Sequence, residues 1–267
     1  RIRELVTYHN QQLTLLGSPN INTEHVLEKS FAEATRLLPL IEDTAGYLQD
    51  LYQGGGRILF EGAQGALLDI DNGTYPFVTS SNCVASTAAA GSGVGANLLH
   101  DVYGVVKAYT TRVAAGAFPT ELPLDLENSP GWLMSNVGAE RGTTTGRIRR
   151  CGWLDIPVLK RSVELNGLTG LCLTKMDVMD GWKEVKICTA YELDGKVIHR
   201  FPIDPEDAGR VKPIYETMPG WSNSEGVTSW EQLSQNAKNY ILRIEELTKC
   251  PMKIISTGPG REHTFFR

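Results

Sequence analysis

Leu171-Cys-Leu-Thr-Lys-Met-Asp177 is a short apolar run that stops at a hydroxyl, an amine and a carboxylate. Just before it, Trp153 to Asn166 carries apolar residues at helical spacing (Leu154, Val158, Leu159, Val163, Leu165) and meets Gly167, a natural helix stop. Helix, glycine, buried strand and polar loop in that order make one unit of an α/β protein, because a strand that is apolar on both faces needs helices to cover it. The same order recurs along the chain. Arg57-Ile-Leu-Phe60 reads as a buried parallel strand ending at Glu61-Gly-Ala-Gln-Gly65. Tyr75-Pro-Phe-Val-Thr-Ser-Ser81 reads as a second apolar piece, whose hydroxyls are placed to cap a small-residue helix from Ala85 to Ala90, a helix start that also attracts phosphate. Val102 to Tyr109 is strand-like and leads into the small-residue loop Thr111 to Leu122, and Met252-Lys-Ile-Ile255 opens into Ser256-Thr-Gly-Pro-Gly-Arg261.

The expected fold is therefore α/β: a mostly parallel sheet with helices on both faces, plus an antiparallel hairpin over 184 to 201 marked by Asp194-Gly195. Residues 1 to 16 and about 23 to 52 are helical by spacing, with Pro39 dividing the second segment. The helical segment 1–56 and the region 57–267 are expected to form one continuous domain. Residues 123 to 136 read as a polar connection, Val211 to Asn223 as an irregular arm, and about Ser229 to Leu247 as a helix. Gly91-Ser-Gly-Val-Gly-Ala96 fits a relaxed dinucleotide fingerprint, but no strand precedes it, so tight helix packing or a turn explains it better.

Apolar content of 41% suffices for a large core, and a net charge of −5 with a pI near 5.6 excludes a polyanionic duplex as partner for the whole surface. The odd count of five cysteines, scattered with no C-x-x-C pair, fits reduced thiols used as small core filler in the cytoplasm. There is no run long and apolar enough for a bilayer and no signal-peptide pattern. The chain opens at Arg1 directly into a helical pattern, which reads as part of a longer protein.

Gly142-Thr-Thr-Thr-Gly-Arg-Ile-Arg-Arg150 is the most lopsided stretch chemically. Three arginines cannot enter a core strand, and the glycines disfavour a long helix, so a loop remains. Hydroxyls, open backbone N–H groups and guanidinium forks make it a receptor for carboxylate or phosphate oxygens; a solvated basic loop or nucleic-acid patch is the competing reading. In an open α/β sheet the ligand lies beyond the carboxyl ends of the strands. Gln64, Thr79, the Val113 to Thr120 segment, Lys175 with Asp177, and Ser256 to Pro259 are therefore expected to converge on one face. An aspartate placed like Asp177 can accept from the N1–H and 2-amino group of guanine while the Lys175 stem covers the base; the alternative is a surface ion pair.

Taken together, Phe60-Glu-Gly-Ala-Gln-Gly65, Asn72-Gly-Thr-Tyr-Pro-Phe-Val-Thr-Ser-Ser-Asn82, Phe118-Pro-Thr-Glu121, Thr144-Thr-Gly-Arg147, Cys151-Gly-Trp-Leu-Asp155, Leu173-Thr-Lys-Met-Asp177, Tyr215-Glu-Thr-Met-Pro-Gly-Trp221 and Ser256-Thr-Gly-Pro259 resemble adenylosuccinate synthetases in order and approximate spacing. The resemblance runs from end to end. It implies a P-loop-NTPase-like fold and a cytoplasmic homodimer that joins IMP and L-aspartate using GTP and Mg²⁺. GTP phosphorylates the 6-oxygen of IMP, and the aspartate amino group then displaces phosphate. Carried over by position, the resemblance puts Gln64 at the 6-oxygen, Thr79 at the 5′-phosphate and Val113 beside the ribose of IMP. Thr143, Thr144, Thr145, Gly146 and Arg147 become a mobile aspartate loop, with Arg147 reaching both aspartate and IMP. Arg149 bridges towards the GTP phosphates, and Lys175, Asp177, Ser256, Thr257, Gly258 and Pro259 hold guanine.

Some positions depart from that pattern. Ile148 interrupts an arginine run, and Ala114 and Ala117 stand where glycine and proline are expected. No G-x-x-x-x-G-K-[ST] occurs, so the phosphate loop, the catalytic Asp and His and the Mg²⁺ ligands of the family are expected in an N-terminal region outside this sequence, and no metal ligand is assigned within it. The chain alone is then expected to be catalytically incomplete. The competing class is a non-catalytic purine-nucleotide (GTP) binding module or a regulatory GTP-binding protein. A genuinely short coding sequence favours that class, and an upstream glycine-lysine loop with an Asp and a His excludes it.

Overall fold

A computed structural model of the protein describes residues 1–113, 115–142 and 146–267, and the chain divides into two compact units, Arg1–Ile58 and Leu59–Arg267. The first unit is helical: α1 (Ile2–Leu15), α2 (Thr23–Leu37) and α3 (Thr44–Gln53), with Pro39 inside a 3₁₀ turn at Leu38–Leu40 that separates α2 from α3. Asn22 caps α2 by accepting from the His25 N–H, and Asp43 caps α3 by accepting from the Gly46 N–H, each at 3.1 Å. Asn10 on α1 braces the following turn, donating to the Ile21 carbonyl at 2.9 Å and accepting from its N–H at 2.7 Å.

The second unit holds α4 (Ser86–Ser92), β1 (Tyr103–Lys107), β2 (Thr110–Arg112), α5 (Pro130–Asn136), β3 (Arg150–Gly152), β4 (Leu154–Asp155), α6 (Ile156–Asn166) and β5 (Gly170–Thr174). It continues with β6 (Glu184–Leu193), β7 (Lys196–Ile198), α7 (Pro205–Arg210), β8 (Lys212–Pro219), α8 (Gln235–Thr248), β9 (Met252–Ser256) and β10 (Thr264–Phe266). Strands β1, β5 and β9 lie side by side in parallel, and β10 closes the order antiparallel to β9. Strand β6 pairs with β8 along one side and with β4 and then β7 along the other; β2 pairs antiparallel with β3. The fold is α/β, a parallel sheet with helices and an added antiparallel hairpin, whose tight turn has both Asp194 and Gly195 at positive φ (51° and 76°).

The core lies where α6 and α8 meet the sheets. Leu171, Leu173, Ile187, Ile241, Ile244 and Ile255 have no exposed surface, and Tyr240 of α8 donates to the Ala108 carbonyl at 2.6 Å. Helix α6 starts at Ile156, later than the spacing predicts, because Leu154–Asp155 pairs with β6 and Asp155 then caps the helix by accepting from the Val158 N–H at 3.1 Å; it stops at Gly167 with φ 58°, as the sequence predicts.

Several expectations from sequence are corrected. Residues 57–60 are not a strand, and Leu59 is 92% exposed; an apolar run becomes a strand only when something pairs with it, and nothing among the described residues does. Tyr75 to Ser81 is a set of turns in which the Thr79 N–H donates to the Leu68 carbonyl at 2.8 Å. Thr79 to Ser81 do not cap α4, because the buried Asp69 accepts from the Cys83 and Val84 N–H groups and Asn166 from that of Ala85. Residues 212–219 form strand β8, with Pro213 and Pro219 tolerated because β8 is an edge. The connection at 123 to 136 contains α5, capped by Ser129, and α8 begins at Gln235 because Ser234, not Ser229, accepts from the Ala237 N–H.

Asp155 gives a test. Burial is the main cause raising its carboxyl to about 6, against donation from Tyr191 at 2.5 Å and the Val158 N–H. A raised carboxyl favours folding only while protonated, so the contribution is complete below the ordinary carboxylate range and gone once the pH passes 6, a change of about 3 kcal/mol. Asp155→Asn keeps the cap acceptor and removes the titration. Urea titrations from pH 4 to 6.5 are expected to show the variant gaining on the wild type by about that amount; a constant difference would reject the assignment.

Candidate active site

Parallel pairing sets the site. Lys107 at the end of β1 is in register with Thr174 at the end of β5, and Leu173 pairs with Ile255 one residue before the end of β9. The loops that follow therefore leave from one edge of the sheet. Lys175, immediately after β5, has φ 65°, a conformation disfavoured for a lysine, and its Nζ donates to the Gly138 carbonyl at 2.9 Å. Asp177 begins the 3₁₀ turn Asp177–Met179 and is half-buried; burial raises its carboxyl, the charge of Lys175 opposes this, and Glu225 and Asp180 add to it. Its side chain accepts no hydrogen bond from another side chain among the described residues.

The Ser256 to Pro259 turn is tied to the same place. Thr257 is fully buried; its hydroxyl donates to the Val227 carbonyl at 2.7 Å and its N–H to the His263 carbonyl at 2.9 Å, while the Gly226 N–H donates to the Thr257 carbonyl at 3.3 Å. Asp180 in turn accepts from the Ser224 N–H at 2.8 Å. Ser256 donates to the Gly258 carbonyl at 3.1 Å, and a Cβ on Gly258 would come within 2.5 Å of the His263 ring, so only glycine fits that close approach. Lys175, Asp177, the 224–227 turn and Thr257 thus form one assembly.

A second cluster joins it through the turn after α5. Glu140 is 2% exposed and accepts from Tyr109 at 2.8 Å, Lys107 at 2.6 Å and Arg149 at 3.2 Å. Burial opposes its ionisation, but the hydrogen bond and charge of Lys107, then Tyr109 and Arg149, hold its carboxyl below the usual range. Burial lowers the Lys107 amine, as do the neighbouring charges of Arg149 and Lys175, while Glu140 raises it. Two cations, Lys107 and Arg149, therefore meet one carboxylate, with the charge of Lys175 felt at Lys107. Thr143, Thr144, Thr145 and Ala114 lie outside the described residues. On the flanks of that loop Gly146 has φ 65°, the Gly142 N–H donates to the Arg147 carbonyl at 2.8 Å, and Arg141 bridges Ile148.

Gln64 and Thr79 belong to a third group, the loop folded around Asp69. That carboxylate is fully buried and also accepts from the N–H groups of Asp71 and Asn72 at 3.0 and 2.9 Å, which with the Cys83 N–H keep it well below the ordinary range despite burial. Gln64 has φ 63° and its Oε1 lies 3.9 Å from the Cys83 sulfur. Arg112 of β2 links this loop to the rest, donating to Thr74 at 2.7 Å and to the Ala115 carbonyl at 3.0 Å beside the exposed Val113. Gln64 and Thr79 make no hydrogen bond with the Lys175 to Asp177 loop among the described residues. Sequence reasoning missed Glu140, Lys107, Asp69 and Arg112. Only Lys107, a charge closing an apolar strand, carried a signal.

Fold and site define an α/β protein whose strand ends present a cation-rich assembly. The sequence model of the family described as adenylosuccinate synthetase matches residues 1–265, and the chain belongs to that family. It is 51% identical over 99% of its length to the adenylosuccinate synthetase of Methylobacillus flagellatus, covering 60% of that relative, and equally identical to adenylosuccinate synthetase 1, chloroplastic, of Ricinus communis, again over 60% of it. The structure of the fully ligated adenylosuccinate synthetase from Plasmodium falciparum superposes with a TM-score of 0.90 at 34% identity, over all of this chain and 63% of that one. The chain thus spans about 60% of the length of the curated relatives it matches.

Thr257→Val keeps the shape and removes the buried hydroxyl. It is expected to cost about 1–3 kcal/mol in urea unfolding, from the Val227 carbonyl left without that donor; an unchanged midpoint would show that the turn does not need the hydroxyl.

Proposed function

We propose that this chain supplies the substrate-binding part of a GTP-dependent ligase that joins IMP and L-aspartate to adenylosuccinate through 6-phosphoryl-IMP. The observation that carries this is the parallel edge where Lys175 and Asp177, the Ser256 to Pro259 turn and the Glu140-held Arg149 come together. A half-buried carboxylate with no side-chain donor among the described residues suits the N1–H and 2-amino group of guanine, and the Lys175 stem suits the face of the base. Arg149 then meets the phosphates. Gln64 donates its amide to the 6-oxygen of IMP, Thr79 binds the 5′-phosphate and Val113 lies beside the ribose. Thr143, Thr144, Thr145, Gly146 and Arg147 take the aspartate carboxylates, for which hydroxyls and a guanidinium fork are the fitting donors.

Ligation by this route also calls on Mg²⁺ to neutralise phosphate charge. The described residues do not fit such a site, since no group of three or more His, Cys, Asp or Glu gathers among them, and no step is assigned through the ion. A homodimer in the cytoplasm completes the reading; no described helix is long and apolar enough to cross a membrane. Turnover requires a phosphate-cradling loop with an Asp and a His in the same protein, because phosphoryl transfer rests on positioning and charge stabilisation.

Base choice tests the assignment. Asp177→Asn is expected to weaken GTP binding at least tenfold, while xanthosine triphosphate, which offers a 2-oxygen in place of the amino group, loses far less. Equal losses for both nucleotides would rule out the guanine-reading role. Retained GTP binding with no turnover in a protein that also carries the phosphate-cradling loop would favour the non-catalytic GTP-binding module.

A further inference from the structure

We infer that Glu140 is a positioning residue that fixes where the Arg149 guanidinium meets the phosphate side of a guanine nucleotide. Both carboxylate oxygens are occupied: one by Tyr109, the other by Lys107 and Arg149. Two of these donors belong to the rigid part of the site. Lys107 ends β1 and is also held to Thr111 at 3.0 Å, and Tyr109 is 2% exposed. The turn that carries Glu140 packs closely on Tyr109, since a Cβ on Gly138 would lie 2.3 Å from the Tyr109 hydroxyl and 2.2 Å from the Met134 carbonyl. Only Arg149 comes from the arginine loop, and it is held twice, by its side chain and by its N–H to the Glu140 carbonyl at 2.9 Å.

Charge balance does not account for this arrangement. One carboxylate faces Lys107 and Arg149, with Lys175 close enough to lower the Lys107 amine further, so the cluster keeps an excess of positive charge. The Arg149 Nε is buried without an acceptor among the described residues, and the side chain remains 30% exposed, so part of it is accessible to an anionic ligand. The same turn receives Lys175 through the Gly138 carbonyl, so the base end and the phosphate end of the assembly share one support.

Aiming and neutralising predict opposite signs. Glu140→Gln removes the one negative charge of the cluster, and if the acid served only to neutralise, anions would bind more tightly. A positioning role predicts the reverse. The inference rests on the guanine-nucleotide reading above, and the probes are guanosine and GDP, which differ in the phosphates. Titration calorimetry is expected to show Glu140→Gln losing about tenfold in GDP affinity, roughly 1.4 kcal/mol, with guanosine unchanged within about twofold. Tyr109→Phe, which removes one anchor and keeps the ring, is expected to lose about threefold for GDP alone. Tighter or unchanged GDP binding in both variants, or equal losses for guanosine and GDP, overturns the inference. Should the wild-type chain bind neither probe, the nucleotide reading fails, and amide hydrogen exchange of the unliganded chain decides the clamp. Faster exchange at the Arg149 N–H in Glu140→Gln supports it, and no change overturns it.

Discussion

The parallel pairing of three short strands far apart in sequence is the constraint from which the rest of the second unit follows. Each of β1, β5 and β9 has only five residues, too few to hold without neighbours, and each is secured by the next through a dry interface that includes Leu171, Leu173 and Ile255. Because side-by-side parallel strands end on the same edge, register alone brings Lys107, Lys175 and the turn after Ser256 together. Tyr240 on α8 locks the same edge from beneath by bonding the first carbonyl beyond β1. Burial of apolar surface thus determines which polar groups meet.

Buried acids do the remaining local organisation, each in a different manner. Asp69 gathers backbone N–H groups from both ends of the 69–84 loop and fixes a segment with no regular structure. Glu140 gathers side chains from β1, the second residue beyond it and the arginine loop. Asp155 serves α6 as a cap and receives Tyr191, yet leaves its second oxygen without a partner, which is why burial dominates its titration. A buried carboxylate is stable in proportion to the donors that reach it, and these three span that range.

Family membership and the local chemistry of the strand ends both support the proposed nucleotide reading. Left-handed backbone at Gln64 and Lys175, two residues with no intrinsic preference for it, occurs in loops that leave from apolar runs and carry polar groups outward. Such conformations persist where the surroundings over-determine them, and at Lys175 the pairing of β5 on one side and the Gly138 carbonyl on the other do so. The chain covers about 60% of the length of its curated relatives.

The sequence by itself determined the local grammar. Helical spacing with Gly167 fixed α6 and its end, Asp194-Gly195 fixed the hairpin, and Thr174-Lys-Met-Asp177 marked a polar loop on a buried strand, because periodicity, capping and turn chemistry act over a few residues. It also carried the ordered motifs by which the family was recognised. Only the tertiary structure decided that Arg57 to Phe60 pairs with no strand among the described residues, that the proline-bearing 212–219 segment is an edge strand, and that Asp69 displaces Thr79 to Ser81 from the start of α4. The same holds for Glu140, an acid between an alanine and an arginine with no pattern around it. Its partners at positions 107, 109 and 149 are distant along the chain, and such meetings arise from packing and register, which no short window of sequence contains.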